Sequence, residues 1–212
     1  MLSIILLRHG KTEGNKSGRY NGVTDDPLSR EGASEAEATT HWPEIKRVYA
    51  SPLQRTRQTA NICFPNAEQI IVDNLREMNF GSFEGKNADE LSDNPDYVAW
   101  VEGGCIDRCP GGESVPLFAK RAAAAFAGAV EDAIARGEER VGFSVHGGII
   151  MSVMSAFTGS NEPYHAWYVH NCSGYELTID EAAWAKEKRL ASYKLFGKNG
   201  DRWDMLGDKK EA

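Results

Sequence analysis

Near its start the chain runs Ser3-Ile4-Ile5-Leu6-Leu7 and then stops abruptly at Arg8-His9-Gly10. Side chains alternate between the two faces of a strand, so a short run that is apolar throughout needs cover on both faces. An inner strand of an α/β sheet meets that condition. A second run of this kind, Val141-Gly142-Phe143-Ser144-Val145, ends in the same way at His146-Gly147-Gly148. Arg47-Val48-Tyr49-Ala50 reads as a further strand, with Ser51-Pro52 behind it. Strands that each break off at a polar, reactive residue are the first indication of a site.

Helical patterns fill the gaps. Ser29 is placed to cap a helix from near Glu31, carrying Ala33 and Ala36 along one side, with Pro43 as its stop. Ser51 as N-cap with Pro52 in the first turn predicts a helix that Pro65 ends. The longest helix is expected from Ser114, where Phe118, Ala122, Phe126, Val130 and Ile134 recur every fourth residue and Gly137 supplies the terminator. Residues 149–157 read as a helix, 70–72 as a short strand, and 175–179 and 190–195 as late strands, the last at an edge. Residues 11–29 read as loop, residues 81–113 as a mostly irregular, cap-like insertion with short helices near 88–91 and 96–101, and residues 200–212 as a loose charged tail. The alternation of strand and helix predicts a three-layer α/β/α sandwich around a mostly parallel sheet. Ligands of such sheets bind beyond the carboxyl ends of the strands, where Arg8, His9, Ser51, Arg55 and His146 are expected.

At 212 residues the chain suits one domain, 1–212, with a sizeable core. The net charge of −7 argues against a general nucleic-acid or anionic-membrane surface, so an anionic ligand would need a local cluster of Arg and His. Met1–Leu7 has no basic residue before it and no small-residue cleavage site, which is unlike a secretory signal, and no apolar run approaches membrane-spanning length. Cys63, Cys105, Cys109 and Cys172 are scattered, as expected of reduced thiols in a cytoplasm. The Cys105/Cys109 spacing lacks a second ligand pair, so no metal and no cofactor are expected.

Neutral imidazole is a good nucleophile near neutral pH, and His9 is the candidate. Arg8 and Arg55 could offset the charge of a phosphate ester, because a guanidinium fork matches phosphate oxygens. His146 and the helix N-terminus at Gly147, together with Asn15, could add donors. Such a site works by positioning and electrostatics and needs no metal. Glu77 is the candidate acid for the leaving alcohol, since a carboxyl group desolvated beside a phosphate has a raised pKa. Glu13, Glu84 and Glu113 compete for that role, and a surface carboxylate is the usual fate of a Glu. Arg8 and His9 could also be plain polar caps of a strand end. His41, His165 and His170 are assigned to surfaces or loops, with a role beside the pocket as the alternative for His165 and His170, which bracket Trp167 and Tyr168.

The segment Leu7-Arg8-His9-Gly10-Lys11-Thr12-Glu13-Gly14-Asn15 resembles the signature of the histidine phosphatase superfamily, the phosphoglycerate-mutase-like proteins. The resemblance continues in order through Gly22-Val23-Thr24-Asp25-Asp26-Pro27-Leu28-Ser29, Ser51-Pro52-Leu53-Gln54-Arg55-Thr56-Arg57, Glu77 with Phe80-Gly81-Ser82-Phe83-Glu84-Gly85, Pro110-Gly111-Gly112-Glu113-Ser114, His146-Gly147-Gly148 and Asn171. It implies a three-layer fold, phosphorylation of His9, proton donation by Glu77, and a phosphate pocket completed by Arg8, Arg55 and His146. It further implies that Asn15, Asn21, Gly22 and Gly147 line the substrate site. Two departures stand out. Val145 occupies a position that is usually Ser in relatives, with Ser144 displaced by one, and the stretch Ile149-Ile150-Met151 lacks an Arg that relatives often carry.

Mutases of this superfamily are longer, with an Arg-rich run around the acidic residue, whereas Asn74-Leu75-Arg76-Glu77-Met78-Asn79-Phe80 has none. That favours hydrolysis of a small phosphorylated metabolite. The segment from Glu90 to Ser114 looks similar to bacterial α-ribazole phosphatase-like proteins, which implies α-ribazole 5'-phosphate as a candidate substrate. A phosphoglycerate mutase and a non-catalytic phospho-ligand binding module are the alternatives. The oligomeric state is not legible in the sequence.

Overall fold

The computed structural model describes residues 1–198. The tail expected over 200–212 lies outside the described residues. The chain begins with β1 (Leu2–Arg8), the short α1 (Glu13–Lys16), α2 (Arg30–Ala38), β2 (Arg47–Ala50), α3 (Gln54–Cys63) and β3 (Glu68–Ile71). It continues with α4 (Ala88–Leu91), α5 (Pro95–Glu102), the 21-residue α6 (Val115–Ala135), β4 (Arg140–Val145), α7 (Gly147–Phe157), β5 (Gly174–Ile179), α8 (Glu181–Glu187) and β6 (Ser192–Phe196).

The six strands form one sheet in the order β3-β2-β4-β1-β5-β6. β3, β2, β4 and β1 run parallel; β5 and β6 are antiparallel additions at one side. The two inner neighbours are β4 and β1, the two runs that read as covered on both faces. Strict alternation sorts their side chains. Leu2, Ile4 and Leu6 of β1 join a large core with Phe143, with Phe118, Phe126 and Val130 of α6, and with Ile150 and Met154 of α7. Ile5 and Leu7 point the other way, into a smaller core with Ala36 of α2 and with Ala60, Cys63 and Phe64. The three layers follow from this two-sided burial.

Several helix ends obey local chemistry. Ser29 Oγ accepts from the Gly32 amide at 3.0 Å, as a cap should. The apolar stripe of α6 is buried at Phe118, Ala122, Phe126 and Val130. α2 ends at Ala38, well before Pro43. In the stretch read as loop, Thr12 and Asn15 form a reciprocal capping box that winds one turn, α1. α8, which shows little periodicity in so short a span, is capped by Asp180. The expected cap at Ser51 is corrected: α3 starts at Gln54 with Leu53 as its N-cap, and the Gln54 amide is taken by Asp25 Oδ1 at 2.6 Å. Ser51 is drawn instead into the site.

Register decides where the histidines meet. Arg8 pairs with Val145 across the parallel β1/β4 ladder, so His9 and His146 are the next residues out of adjacent strands. Their ring centroids lie 5.1 Å apart, edge to face.

Candidate active site

His9 is held by backbone on every side. Its amide donates to Val145 O at 2.9 Å, and its carbonyl accepts from Asn171 Nδ2 at 2.8 Å. The next amide, Gly10, donates to Thr59 Oγ1 at 2.9 Å. The ring nitrogen Nδ1 lies 2.7 Å from Gly10 O. A carbonyl can only accept, so Nδ1 carries the proton, and in the neutral ring Nε2 keeps its lone pair. Nε2 has no hydrogen-bond partner among the described residues. Burial, and then the charges of Arg55 and Arg8, hold the pKa of His9 well below the ordinary 6.5, so the ring is neutral at neutral pH.

His146 is buried completely and bonded at both nitrogens. Arg55 Nε donates to its Nδ1 at 3.3 Å, and its Nε2 lies 2.7 Å from Ser51 Oγ. A guanidinium has only donors, so Nδ1 must accept and Nε2 must carry the proton. Ser51 Oγ sits 3.0 Å from Thr56 Oγ1, which reaches Leu53 O at 2.7 Å, so a chain of hydroxyls anchors the ring. Desolvation, followed by Arg55 and His9, keeps His146 well below the ordinary value too.

The two arginines sit at different depths. Arg8 donates from Nη1 to Val169 O at 2.6 Å and lies over the Tyr168 ring, 4.9 Å from its centroid. Its Nε is buried and has no partner among the described residues. Arg55 is only 1 % exposed. Its Nη1 donates to Thr24 O at 2.6 Å, and its Nη2 to Gly22 O at 2.8 Å and Asn21 O at 3.2 Å. The same loop is gripped from the other side by Glu84, which accepts from the amides of Gly22, Val23 and Thr24 and from Phe80 N at 2.9 Å. Arg55 therefore lies beneath the site, bracing His146 and the loop 21–24.

Glu77 follows a 3-10 turn at Asp73–Leu75. One carboxylate oxygen accepts from Gly148 N at 2.9 Å, at the N-terminus of α7, and the other from Met78 N at 2.9 Å. A Cβ at 148 would come within 2.3 Å of Glu77 Oε1 and displace the carboxyl group from this position. Burial raises the pKa of Glu77 above the ordinary 4.5, and the two amides, Arg55 and Arg8 oppose it. The segment is itself clamped: Arg121 donates to the carbonyls of Asn74 and Arg76 at 2.9 and 3.0 Å and pairs with Glu113 at 2.7 Å. Glu113 in turn accepts from Asn79 N at 3.0 Å.

These groups border a cavity of about 460 Å³. Arg8, His9, Glu77, Asn15, Asn21 and Gly147 line it. Arg55, His146 and Gly22 do not line it; they lie behind its wall, and the Gly22 amide is taken by Glu84. Of the four candidate carboxylates, Glu77 alone faces the cavity: Glu84 and Glu113 are consumed as described, and Glu13 is mostly in solvent. The sequence reading missed the aromatic wall, Tyr20, Phe80, Trp100, Phe118, Tyr164 and Tyr168, and it favoured surfaces or loops over a place beside the pocket for His165 and His170, which border the cavity. The bracketing of Trp167 and Tyr168 by His165 and His170 was the signal that hinted at them. Trp100 comes from the segment read as a cap-like insertion. Among the described residues, no group of three or more His, Cys, Asp or Glu is arranged to hold a metal ion. A neutral imidazole with a free lone pair, an unpartnered guanidinium nitrogen and a carboxyl group with a raised pKa can together carry nucleophilic attack, anion binding and proton transfer.

Known proteins share this arrangement of strands. The chain is 30 % identical over 198 residues to the "Probable phosphoglycerate mutase GpmB" of Escherichia fergusonii, covering 87 % of this chain and 88 % of that one. The crystal structure of phosphoglycerate mutase from Thermus thermophilus matches with a TM-score of 0.61 at 26 % identity, over 91 % of this chain and 98 % of that one. The alpha-ribazole phosphatase from Shigella flexneri matches with a TM-score of 0.75 over 99 % of this chain and 100 % of that one; at 21 % identity it shows a common fold. The sequence profile of the histidine phosphatase superfamily, branch 1, matches residues 4–190, from within β1 to beyond α8 and across both histidine-bearing strand ends, and the chain belongs to that superfamily.

Proposed function

We propose that this chain is a phosphomonoesterase that works without a metal, through a phosphohistidine on His9. The observation that carries the reading is the tautomer of His9: its Nδ1 proton is held by Gly10 O, and its free Nε2 belongs to a ring that lines the cavity shared with Arg8 and Glu77. In the first step Nε2 bonds to phosphorus and the ester P–O bond breaks. Glu77 gives its proton to the departing alkoxide. In the second step water attacks phosphorus, Glu77 takes the water's proton, and the P–N bond breaks, returning the lone pair to Nε2. Arg8 pairs with the equatorial oxygens, with the N-terminus of α7 at Gly147 beside it. Arg55 supplies positive potential from beneath the floor, and neutral His146 is braced beside it. Asn15 and Asn21 shape the substrate side, and Gly22 supports the loop behind them.

The proposed substrate is a small phosphorylated metabolite, with α-ribazole 5'-phosphate the first to assay, and the whole chain is read as one domain. A cytoplasmic location fits these expectations; among the described residues no helix is long and apolar enough to cross a membrane. The name of the Escherichia fergusonii relative supports a second reading, a phosphoglycerate mutase. An aryl phosphate assay with chelator present, with acid quench to trap labelled protein, tests the first reading. Turnover with an acid-labile phosphoenzyme is expected; binding without turnover would leave only a phospho-ligand module. Interconversion of 2- and 3-phosphoglycerate at a rate above hydrolysis would establish the mutase instead.

A further inference from the structure

Part of the cavity lining is apolar and aromatic, and the polar atoms of its Tyr20 and Trp100 are already used. Tyr20, Phe80 and Trp100 form an assembled cluster, with centroid separations of 5.3 Å for Tyr20–Phe80, 5.7 Å for Tyr20–Trp100 and 6.4 Å for Phe80–Trp100. Phe118, Val115 and Met151 extend the same wall. The Tyr20 hydroxyl is bonded to Tyr97 Oη at 2.9 Å, and Trp100 Nε1 donates to Asp107 O at 2.9 Å. Both side chains therefore offer the cavity ring surface rather than donors. Besides Arg8, the two long cations of the cavity lining are also engaged. Arg19 binds both oxygens of Glu90, at 2.7 and 2.9 Å, and Lys16 sits 3.4 Å from Glu13 and 3.6 Å from Glu31.

We infer that this wall is a leaving-group subsite for monophosphates whose alcohol carries a flat aromatic ring, with Tyr20, Phe80 and Trp100 as its specificity-determining residues. The inference deepens the phosphatase reading and rests on it for the position of the phosphate. A cavity of about 460 Å³ has room for a ring beyond the phosphoryl group, within the usual span of small-molecule sites, roughly 300–1,000 Å³. Burying a ring against aromatic faces is favourable through apolar area and ring–ring geometry. A leaving group rich in hydroxyls, or one bearing a carboxylate, would lose its water at the same wall and find no free donor on Tyr20 or Trp100 in return.

The test separates binding from turnover. Calorimetry with 3-phenylpropylphosphonate and propylphosphonate compares two inert ligands that differ by one ring. We expect the ring-bearing ligand to bind about tenfold to a hundredfold more tightly. Trp100→Ala should erase most of that advantage; if it does not fold, Phe80→Leu should lower it by severalfold. Equal affinity for the two phosphonates, tighter binding of the propyl compound, or an advantage untouched by a folded variant overturns the subsite. Hydrolysis of the corresponding phosphate esters is then measured separately. Ring preference in binding without hydrolysis of either ester keeps the subsite and removes the phosphatase reading. Hydrolysis without ring preference does the reverse, and failure to bind either phosphonate removes both.

Discussion

His9 and His146 leave adjacent parallel strands at the same register, and burial keeps both rings neutral, yet they carry their protons on opposite nitrogens. At the end of β1 the partner is a carbonyl, Gly10 O, which can only accept. At the end of β4 it is Arg55 Nε, which can only donate. One ring is thereby left with a free lone pair in a cavity, and the other is tied at both nitrogens behind the wall. The chemistry of a histidine is set here by the hydrogen bond made on its far side, not by residue type or strand position. The carboxyl group that completes the site obeys a similar rule, since Glu77 stands out from Glu13, Glu84 and Glu113 by having only two backbone amides for partners and a cavity in front of it.

The comparison breaks most visibly at His9. His9→Ala is expected to lower kcat by about 10⁴-fold or more and to abolish acid-labile phosphoenzyme, measured by steady-state hydrolysis and acid-quench labelling. A variant that still forms labelled protein would transfer the nucleophile to His146. His146→Ala should cost less, about 10²- to 10³-fold, because it removes a positioning and electrostatic partner, and phosphoenzyme should still form on His9. Equal losses in the two variants would erase the distinction drawn between the strand ends.

Glu77→Gln should slow hydrolysis by about 10²-fold for alkyl esters and much less for nitrophenyl phosphate, whose leaving group needs no proton. The pH profile sharpens this. Activity needs His9 neutral, with Nε2 unprotonated, so the acid limb falls well below pH 6.5; it needs Glu77 protonated, so the alkaline limb lies above pH 4.5. Loss of the alkaline limb in Glu77→Gln is the expected signature, and an unchanged limb would assign the acid elsewhere.

Stability provides a smaller effect. The unfolded chain's histidines take up protons near pH 6.5, while folded His9 and His146 do not until lower pH. Below about pH 6.5 the unfolded state binds more protons, so stability declines as pH falls toward the depressed folded values. Urea midpoints across that range should show it. Ser51→Ala leaves the His146 Nε2 proton without its acceptor and should cost about 1–3 kcal/mol of stability, with only a severalfold loss of rate.

The inner strands were legible because both faces of β1 and β4 are apolar, and the arrival of His9 and His146 at the same sheet edge follows from parallel pairing of those strands. Ser51 shows where local reasoning fails. It precedes Pro52 in a pattern that suits an N-cap, yet its hydroxyl is bound to His146, 95 residues away. An isolated helix start would favour the cap, but the buried imidazole proton has no other acceptor, while the first amide of α3 finds Asp25 Oδ1 instead. Arg55 is similar. The residue type pointed to phosphate, and only the folded loop 21–24, with its carbonyls turned inward, places it beneath the site.

The sequence by itself determined which strands are buried, where each of them ends, and which reactive residues stand at those ends, because side-chain alternation and apolar burial are local properties of the chain. Tertiary structure alone decided the tautomers of the two histidines, the two backbone amides that hold Glu77 at the cavity, and the assembly of Tyr20, Phe80 and Trp100 into one wall. Those outcomes depend on which donor, acceptor or ring arrives from a distant segment, and no local pattern encodes that meeting.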